Sequence, residues 1–221
     1  MKFLLTSAGL RNQAITDALV ELLGKPLSGT SVLFVTTAAN TGHDDKRWLL
    51  ENLSEFDQAR VKSLNIIDIA GLPKEIWLPH FTAADVICVG GGDERYLARV
   101  FAEHDFVTEL PTLLVGKVYM GISAGSMVVG QYLPPALSKV IFIEEDFGDD
   151  RGEGLGLLPF AFIPHLNSSF FSLRKERLDS MQESFPVPVY ATDDETAVQV
   201  VDGVVSKVGN GELLHYELKR D

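Results

Sequence analysis

The sequence predicts an α/β fold, a three-layer αβα sandwich in which helices cover both faces of a mainly parallel sheet. Three observations support this prediction. Short apolar runs typical of buried strands alternate with longer stretches in which apolar residues have helical spacing. Glycine-rich turns follow two of these runs, at 90–92 and 121–125. With 221 residues, 46% of them hydrophobic, the chain can bury a full core, and we expect one domain over 1–221.

The first 130 residues show the clearest alternation. The run 31–36 is almost uninterrupted, as expected for a strand covered on both faces. Ile15, Leu19 and Leu22 recur with a spacing that indicates a helix. Strands are expected at Lys2–Thr6, 31–36, 61–67, 85–89 and in the first half of 117–130. Helices are expected at 12–23, 45–56, 73–79, 94–102 and in the second half of 117–130.

The pattern is less regular after Gly130. Residues 146–156 are acidic and rich in glycine, which is typical of a solvated surface loop and also of some calcium-binding loops. The ligand spacing does not match an EF-hand, so a solvated loop is the preferred interpretation. A helix is expected at 172–185. Strands are expected at 140–143, 160–163, 187–191 and 213–218, with a hairpin of 198–201 and 204–208.

Composition excludes several classes of protein. The chain has 31 acidic and 19 basic residues, a net charge of −12, and no cluster of basic residues, so nucleic acid is not an expected partner. No apolar run approaches ~18 residues and the first residues do not resemble a signal peptide, so no membrane span is expected. Cys88 is the only cysteine, which excludes an intrachain disulfide and a cysteine metal cluster. We expect a cytoplasmic monomer or homodimer without cofactor or metal.

The segment 121–125 has the pattern G-x-S-x-G between a predicted strand and a predicted helix. In that context the pattern indicates a nucleophile elbow, a strained turn that presents Ser123 Oγ at the carboxyl end of the strand. The N–H of Ala124 would then point to a developing oxyanion. The alternative is an ordinary tight turn in which Ser123 caps the helix, and the pattern alone does not separate the two.

A serine nucleophile needs a base and a group that orients the base. His165 follows the apolar run 160–163 and is expected at the same edge of a sheet as Ser123, where sites of α/β proteins collect. Acidic residues also follow a predicted strand, and any of three could complete the set: Asp193, Asp194 and Glu195. The remaining histidines are explained by exposed or capping roles: His43, His80, His104 and His215.

Other chemical interpretations are weaker. Cys88 lies inside an apolar strand, where an inert buried thiol is expected. Ser126, one turn after Ser123, is expected to pack or to cap backbone groups. The run 90–92 is not a phosphate-binding loop, because neither Gly-Lys-Ser/Thr nor G-x-G-x-x-G is present. Close approach of the backbone, with free N–H groups, explains these glycines better.

Together these segments resemble peptidase family S51, the serine peptidases that comprise peptidase E (α-aspartyl dipeptidase) and the cyanophycinases. The matching segments run in the family's order and span most of the chain: 89–93, 121–126, 157–159, 163–165, 174–178 and 193–197. The resemblance implies a fold like that of class I glutamine amidotransferases. It also implies a triad of Ser123, His165 and Asp194, although the family usually has glutamate at the third position.

The resemblance implies further roles. Gly92 and Ala124 match the positions whose N–H groups form the oxyanion hole. Asp93 stands where peptidase E has asparagine, as in the cyanophycinase-like branch. Its carboxylate could repel an aspartyl side chain of a substrate or could instead hold the free α-amino group. Arg174 and Arg177 could bind a substrate carboxylate, because a guanidinium matches a carboxylate. Three hypotheses remain: a dipeptidase for short peptides with N-terminal Asp, a cyanophycinase-like isopeptidase, and a catalytically silent ligand-binding domain.

Overall fold

The computed structural model describes residues 1–42, 45–135, 137 and 152–218. Three subjects of sequence predictions lie outside this part of the chain: His43, the strand at 140–143 and residues 146–151 of the acidic loop. The described strands form two sheets. They are β1 (Lys2–Thr6), β2 (Ser31–Val35), β3 (Ser63–Ile67), β4 (Val86–Val89), β5 (Val118–Ile122), β6 (Ala161–Ile163), β7 (Val189–Thr192), β8 (Thr196–Val201), β9 (Val204–Gly209) and β10 (Leu213–Tyr216).

The larger sheet has seven strands in the order β3-β2-β4-β5-β1-β8-β9. The first five are parallel, whereas β8 is antiparallel to both β1 and β9. The central strands β4, β5 and β1 therefore end at one edge of the sheet. Their side chains are covered on both faces, which explains the continuous apolar runs in the sequence.

Seven helices are described: α1 (Gln13–Leu23), α2 (Arg47–Gln58), α3 (Lys74–Ala83), α4 (Glu94–Glu103), α5 (Phe106–Leu113), α6 (Ala124–Met127) and α7 (Lys175–Met181). The first six cover both faces of the larger sheet. Leu4 of β1 faces a core that includes Ile15 of α1 and Phe56 of α2. The neighbouring Phe3 faces the opposite core, with Trp77 of α3. The predicted three-layer αβα sandwich is confirmed.

The smaller sheet has the order β10-β7-β6. Strand β6 is parallel to β7, and β10 is antiparallel to β7. These strands have a core of their own, in which Ile163 and Val189 pack with Leu178 of α7. The sequence predicted the strands but not that they would leave the main sheet. This sheet carries two of the candidate site residues, because His165 follows β6 and Asp194 follows β7.

Helix α5 is not predicted by the sequence, because Pro111 lies within a helix of only eight residues. A proline usually ends a helix, since it removes a backbone donor and its ring crowds the preceding turn. Phe106 and Leu110 are nevertheless fully buried on one face of this helix, so tertiary packing outweighs the local preference. None of the helices within the described residues is long and apolar enough to cross a membrane.

Candidate active site

The G-x-S-x-G segment forms the sharp strand-to-helix turn that its pattern predicts. Strand β5 ends one residue before Ser123, and α6 begins one residue after it. Ser123 has φ of 50° and ψ of −114°. Residues with a side chain seldom adopt such a positive φ, and this conformation costs on the order of 1–3 kcal/mol. Strain of this kind is common where a catalytic group must be held in one orientation.

The two glycines of the pattern are required by close contacts. A Cβ at Gly121 would lie 2.6 Å from the Cα of Ser126, and a Cβ at Gly125 would lie 1.9 Å from the carbonyl oxygen of Val89. The buried hydroxyl of Tyr119 donates to the carbonyl of Gly125 at 2.6 Å. The turn is therefore clamped between β4 and β5, which keeps the strained serine in place.

The side chains of Ser123, His165 and Asp194 form a hydrogen-bonded chain. His165 Nε2 lies 3.0 Å from Ser123 Oγ, and His165 Nδ1 lies 2.7 Å from Asp194 Oδ1. Because a carboxylate oxygen only accepts, Nδ1–H donates to Asp194, which leaves Nε2 to accept the serine hydroxyl. The His165 side chain is 13% exposed and that of Asp194 is 38% exposed. Of these two groups, solvent therefore reaches the carboxylate more readily than the imidazole.

The two other candidate acids have different partners. Asp193 accepts the N–H of Glu195 at 3.1 Å and that of Glu212 at 2.6 Å, and so joins the turn after β7 to the start of β10. Glu195 accepts from the side-chain amide of Asn12 at 3.0 Å. Of the three acids that the sequence left open, the structure brings Asp194 to His165.

Gly92 and Ala124 lie beside the serine. Within the described residues, neither N–H has a hydrogen-bond partner. Gly92 is exposed and has φ of 130°, and a Cβ there would lie 2.1 Å from the carbonyl oxygen of Ala38. The preceding residue packs near the nucleophile, since a Cβ on Gly91 would lie 3.3 Å from Ser123 Cβ. The arrangement offers two free donors next to Ser123.

Asp93 has a structural role in addition to the predicted one. Its carboxylate caps α4 by accepting the N–H of Tyr96 at 2.8 Å, and the residue is only 6% exposed. A capping carboxylate at a helix start is favourable because it satisfies a free backbone donor and the helix dipole. Contact of Asp93 with a substrate stays a prediction.

The two arginines differ in their surroundings. Arg174 is exposed and precedes α7, and its Nη1 donates to the carbonyls of Phe171 at 2.9 Å and Leu173 at 2.8 Å. The Phe171 ring lies 4.7 Å from the ring of His165, centre to centre. Arg174 is thus tied to the loop that contacts the histidine, whereas Arg177 lies half-buried within α7.

Two alternative interpretations are settled by burial. Cys88 is fully buried, and burial raises the pKa of its thiol well above the usual value, so the reactive thiolate is disfavoured. The hydroxyl of Ser126 donates to the carbonyl of Thr6 and accepts its N–H. The predicted packing roles of both residues are confirmed.

Two residues near the site were missed in the sequence. Phe171 contacts the histidine ring, and Ser7 accepts the N–H of His165 at 3.1 Å. A signal for Ser7 was present, because it directly follows β1 at the same sheet edge as Ser123. No comparable signal exists for Phe171, which reaches the histidine only through the path of the loop after β6.

The structure is thus an α/β three-layer sandwich that carries a serine at a strained turn after a central parallel strand. A model of peptidase family S51 matches residues 3–208. The chain belongs to this family of serine-type peptidases.

Comparisons with individual proteins agree with this membership. Peptidase E of Shewanella baltica (strain OS185) is 35% identical over 86 residues, which cover 38% of this chain and 34% of that protein. Peptidase E of Actinobacillus pleuropneumoniae serotype 5b (strain L20) is 28% identical over 143 residues, 62% of this chain and 59% of that protein. The matched segments thus span about a third and about three fifths of these relatives.

Two crystal structures share the fold. A protein of Listeria monocytogenes EGD-e that carries the provisional name Peptidase E superposes with a TM-score of 0.76 at 18% identity, over 95% of this chain and 98% of that one. A peptidase from an acI-B1 Actinobacterium superposes with a TM-score of 0.68 at 20% identity, over 98% of this chain and 90% of that one. At these identities the similarity concerns the fold alone.

Proposed function

We propose that this protein is a serine peptidase that hydrolyses short peptides, with Asp-Xaa dipeptides as the leading substrates. The observation that carries the proposal is the hydrogen-bonded chain in which His165 lies between Ser123, at 3.0 Å, and Asp194, at 2.7 Å. The strained elbow supports it, because strain at a surface-accessible serine is seldom retained without a function.

In the proposed mechanism Ser123 Oγ attacks the scissile carbonyl while His165 Nε2 takes its proton. The N–H groups of Gly92 and Ala124 stabilise the oxyanion. His165 then gives the proton to the leaving amine, and an acyl-enzyme on Ser123 remains. Water attacks this ester with His165 again as the base. Asp194 holds the imidazole in the required tautomer and stabilises the imidazolium.

Recognition of an acidic substrate needs a local positive group, because the net charge of −12 repels anions in general. Arg174 is the favoured candidate, since its guanidinium is held by two backbone carbonyls on the loop that contacts His165. Two of its five N–H groups make these bonds, and the other three have no partner in the described residues. Fixing the guanidinium in advance reduces the entropy lost when a carboxylate binds.

The proposal is tested by treating the protein with a serine-directed phosphonate and locating the adduct by peptide mass spectrometry. We expect one adduct, on Ser123, together with hydrolysis of members of a dipeptide panel. The panel contains Asp-Xaa, β-Asp-Arg and neutral peptides, so that it separates a dipeptidase from a cyanophycinase-like isopeptidase. Absence of both labelling and hydrolysis would favour a silent binding domain on the same fold.

Arg174→Ala is expected to lower kcat/KM for Asp-Xaa by about 10- to 100-fold, the loss of a charge-assisted carboxylate contact. Hydrolysis of neutral dipeptides should change little. Lys175→Ala is the matched control, because it removes the same charge from the next residue, whose amine pairs with Asp179. Arg177→Ala tests the second candidate. Equal cleavage of Asp-Xaa and Leu-Xaa by the wild type, unaffected by either arginine change, would contradict the acidic specificity.

Several properties stay predictions from the sequence. They are the cytoplasmic location, the single domain over 1–221, the absence of a cofactor or metal, and a monomeric or homodimeric state. The expectation that the protein binds short peptides, and neither nucleic acid nor a membrane, also stays a prediction.

A further inference from the structure

Ser7 lies buried between the two sheets, directly after β1, with only 1% of its surface exposed. Its hydroxyl has three partners. It accepts the backbone N–H of His165 at 3.1 Å, and it lies 3.1 Å from the carbonyl oxygen and 2.9 Å from the hydroxyl of Thr192. His165 is the candidate base, and Thr192 ends the strand that leads to Asp194.

The three contacts use the full capacity of one hydroxyl, which has one proton and accepts two. The N–H of His165 can only donate, and the carbonyl of Thr192 can only accept. Ser7 therefore gives its proton to that carbonyl, and the hydroxyl of Thr192 donates to Ser7. No other assignment satisfies all three contacts. The loss of Ser7 Oγ would leave buried groups on both His165 and Thr192 without this partner.

The preceding residue, Thr6, is fastened to the elbow in the same way. Its carbonyl accepts the N–H of Ser123 at 2.9 Å and the hydroxyl of Ser126 at 2.8 Å, and its N–H donates to Ser126 at 3.0 Å. Its own hydroxyl donates to the carbonyl of Gly121 at 2.8 Å. Two consecutive residues thus connect the nucleophile, on one side, with the base and the strand of the acid, on the other.

We propose that Ser7 is a positioning residue that sets the distance between Ser123 and His165 across the boundary of the two sheets. This inference rests on the proposed function. The geometry needs such a link, because His165 and Asp194 follow strands of the smaller sheet while Ser123 follows a strand of the larger one. Ser7 acts through His165 and Thr192, and it is assigned no contact with substrate.

Ser7→Ala should therefore impair the chemical step more than substrate binding. We expect kcat to fall by about 10- to 100-fold, since a displacement of about 1 Å in a catalytic group has an effect of this size. KM should change by no more than about twofold, because the substitution leaves intact the contacts that hold the substrate equally well in the ground state and the transition state. The rate of phosphonate labelling at Ser123 should fall in parallel with kcat.

Thr30→Val is the matched control. Thr30 is also fully buried, and its hydroxyl donates to the carbonyl of Pro26 at 3.1 Å, just before β2 and at the opposite edge of the sheet. It should lower the thermal midpoint, by less than Ser7→Ala because only one hydrogen bond is lost, and leave kcat unchanged. Thr192→Val, which removes one of the three contacts and keeps the side-chain shape, serves if Ser7→Ala does not fold. It is expected to lower kcat by a smaller factor.

A folded Ser7→Ala protein with wild-type kcat would overturn the inference, and so would equal losses of kcat in Ser7→Ala and Thr30→Val. If Ser7→Ala does not fold, wild-type kcat in Thr192→Val has the same meaning. The proposed function fails through a different result, namely full turnover by Ser123→Ala. Full turnover in Ser123→Ala would therefore contradict the proposed function, whereas full turnover in Ser7→Ala would contradict only the positioning role of Ser7.

Discussion

Ser123→Ala is expected to abolish peptidase activity, by about 10³-fold or more in kcat, while the fold stays intact. The reason is that Oγ is the atom that the strained elbow presents to His165 Nε2 at 3.0 Å. Alanine keeps the Cβ, so the packing against Gly91 and the backbone of the turn are retained. Circular dichroism and thermal unfolding check the fold, and dipeptide hydrolysis followed by amine release measures the loss.

Two comparisons sharpen this result. His165→Ala should be about as damaging as Ser123→Ala, and the double variant little worse, because members of a triad act as one unit. Cys88→Ala should keep wild-type turnover, since that thiol is fully buried and its pKa is raised by burial. Near wild-type activity in a folded Ser123→Ala protein would refute the nucleophile, and additive losses in the double variant would place His165 outside the mechanism.

Asp194→Asn is expected to lower kcat by about 10³- to 10⁴-fold. The amide can present an N–H to His165 Nδ1, which favours the wrong tautomer and leaves Nε2 protonated and unable to accept from Ser123. It also removes the negative charge that stabilises the imidazolium. The change is nearly isosteric at a side chain that is 38% exposed, so little loss of stability should accompany it.

The neighbouring acids provide the controls for Asp194→Asn. Glu195→Gln should keep activity close to that of the wild type, because its carboxylate bonds to Asn12 and not to the histidine. Asp193→Asn should act mainly on stability, since that carboxylate accepts two backbone N–H groups that join β7 to β10. If Glu195→Gln were the most damaging of the three, the acid that orients His165 would be Glu195 and not Asp194.

Local features in the sequence determined the central strands, most helices and the elbow. Continuous apolar runs mark strands covered on both faces, and that signal depends only on neighbouring residues. The elbow is also recognisable from neighbouring residues alone, because a turn this sharp tolerates few residue types. The glycines at 121 and 125 and the serine between them are such residues. His165 became a candidate through the rule that parallel strands present their carboxyl ends at one edge. Its strand β6 lies in the smaller sheet, however, so the contact with Ser123 was decided by how the two sheets meet.

The tertiary structure decided what depends on contacts between distant segments. Helix α5 forms despite Pro111 because Phe106 and Leu110 are buried against the core. The choice of Asp194 over its neighbours depends on the turn between β7 and β8, which the contact of Asp193 with Glu212 holds in place. Three adjacent acids have nearly equal local chemistry, so the side chain that reaches the histidine is selected by backbone geometry. The division into two sheets depends on the pairing of β6 and β10 with β7. The link through Ser7 arises from hydrogen bonds between residues more than 150 positions apart.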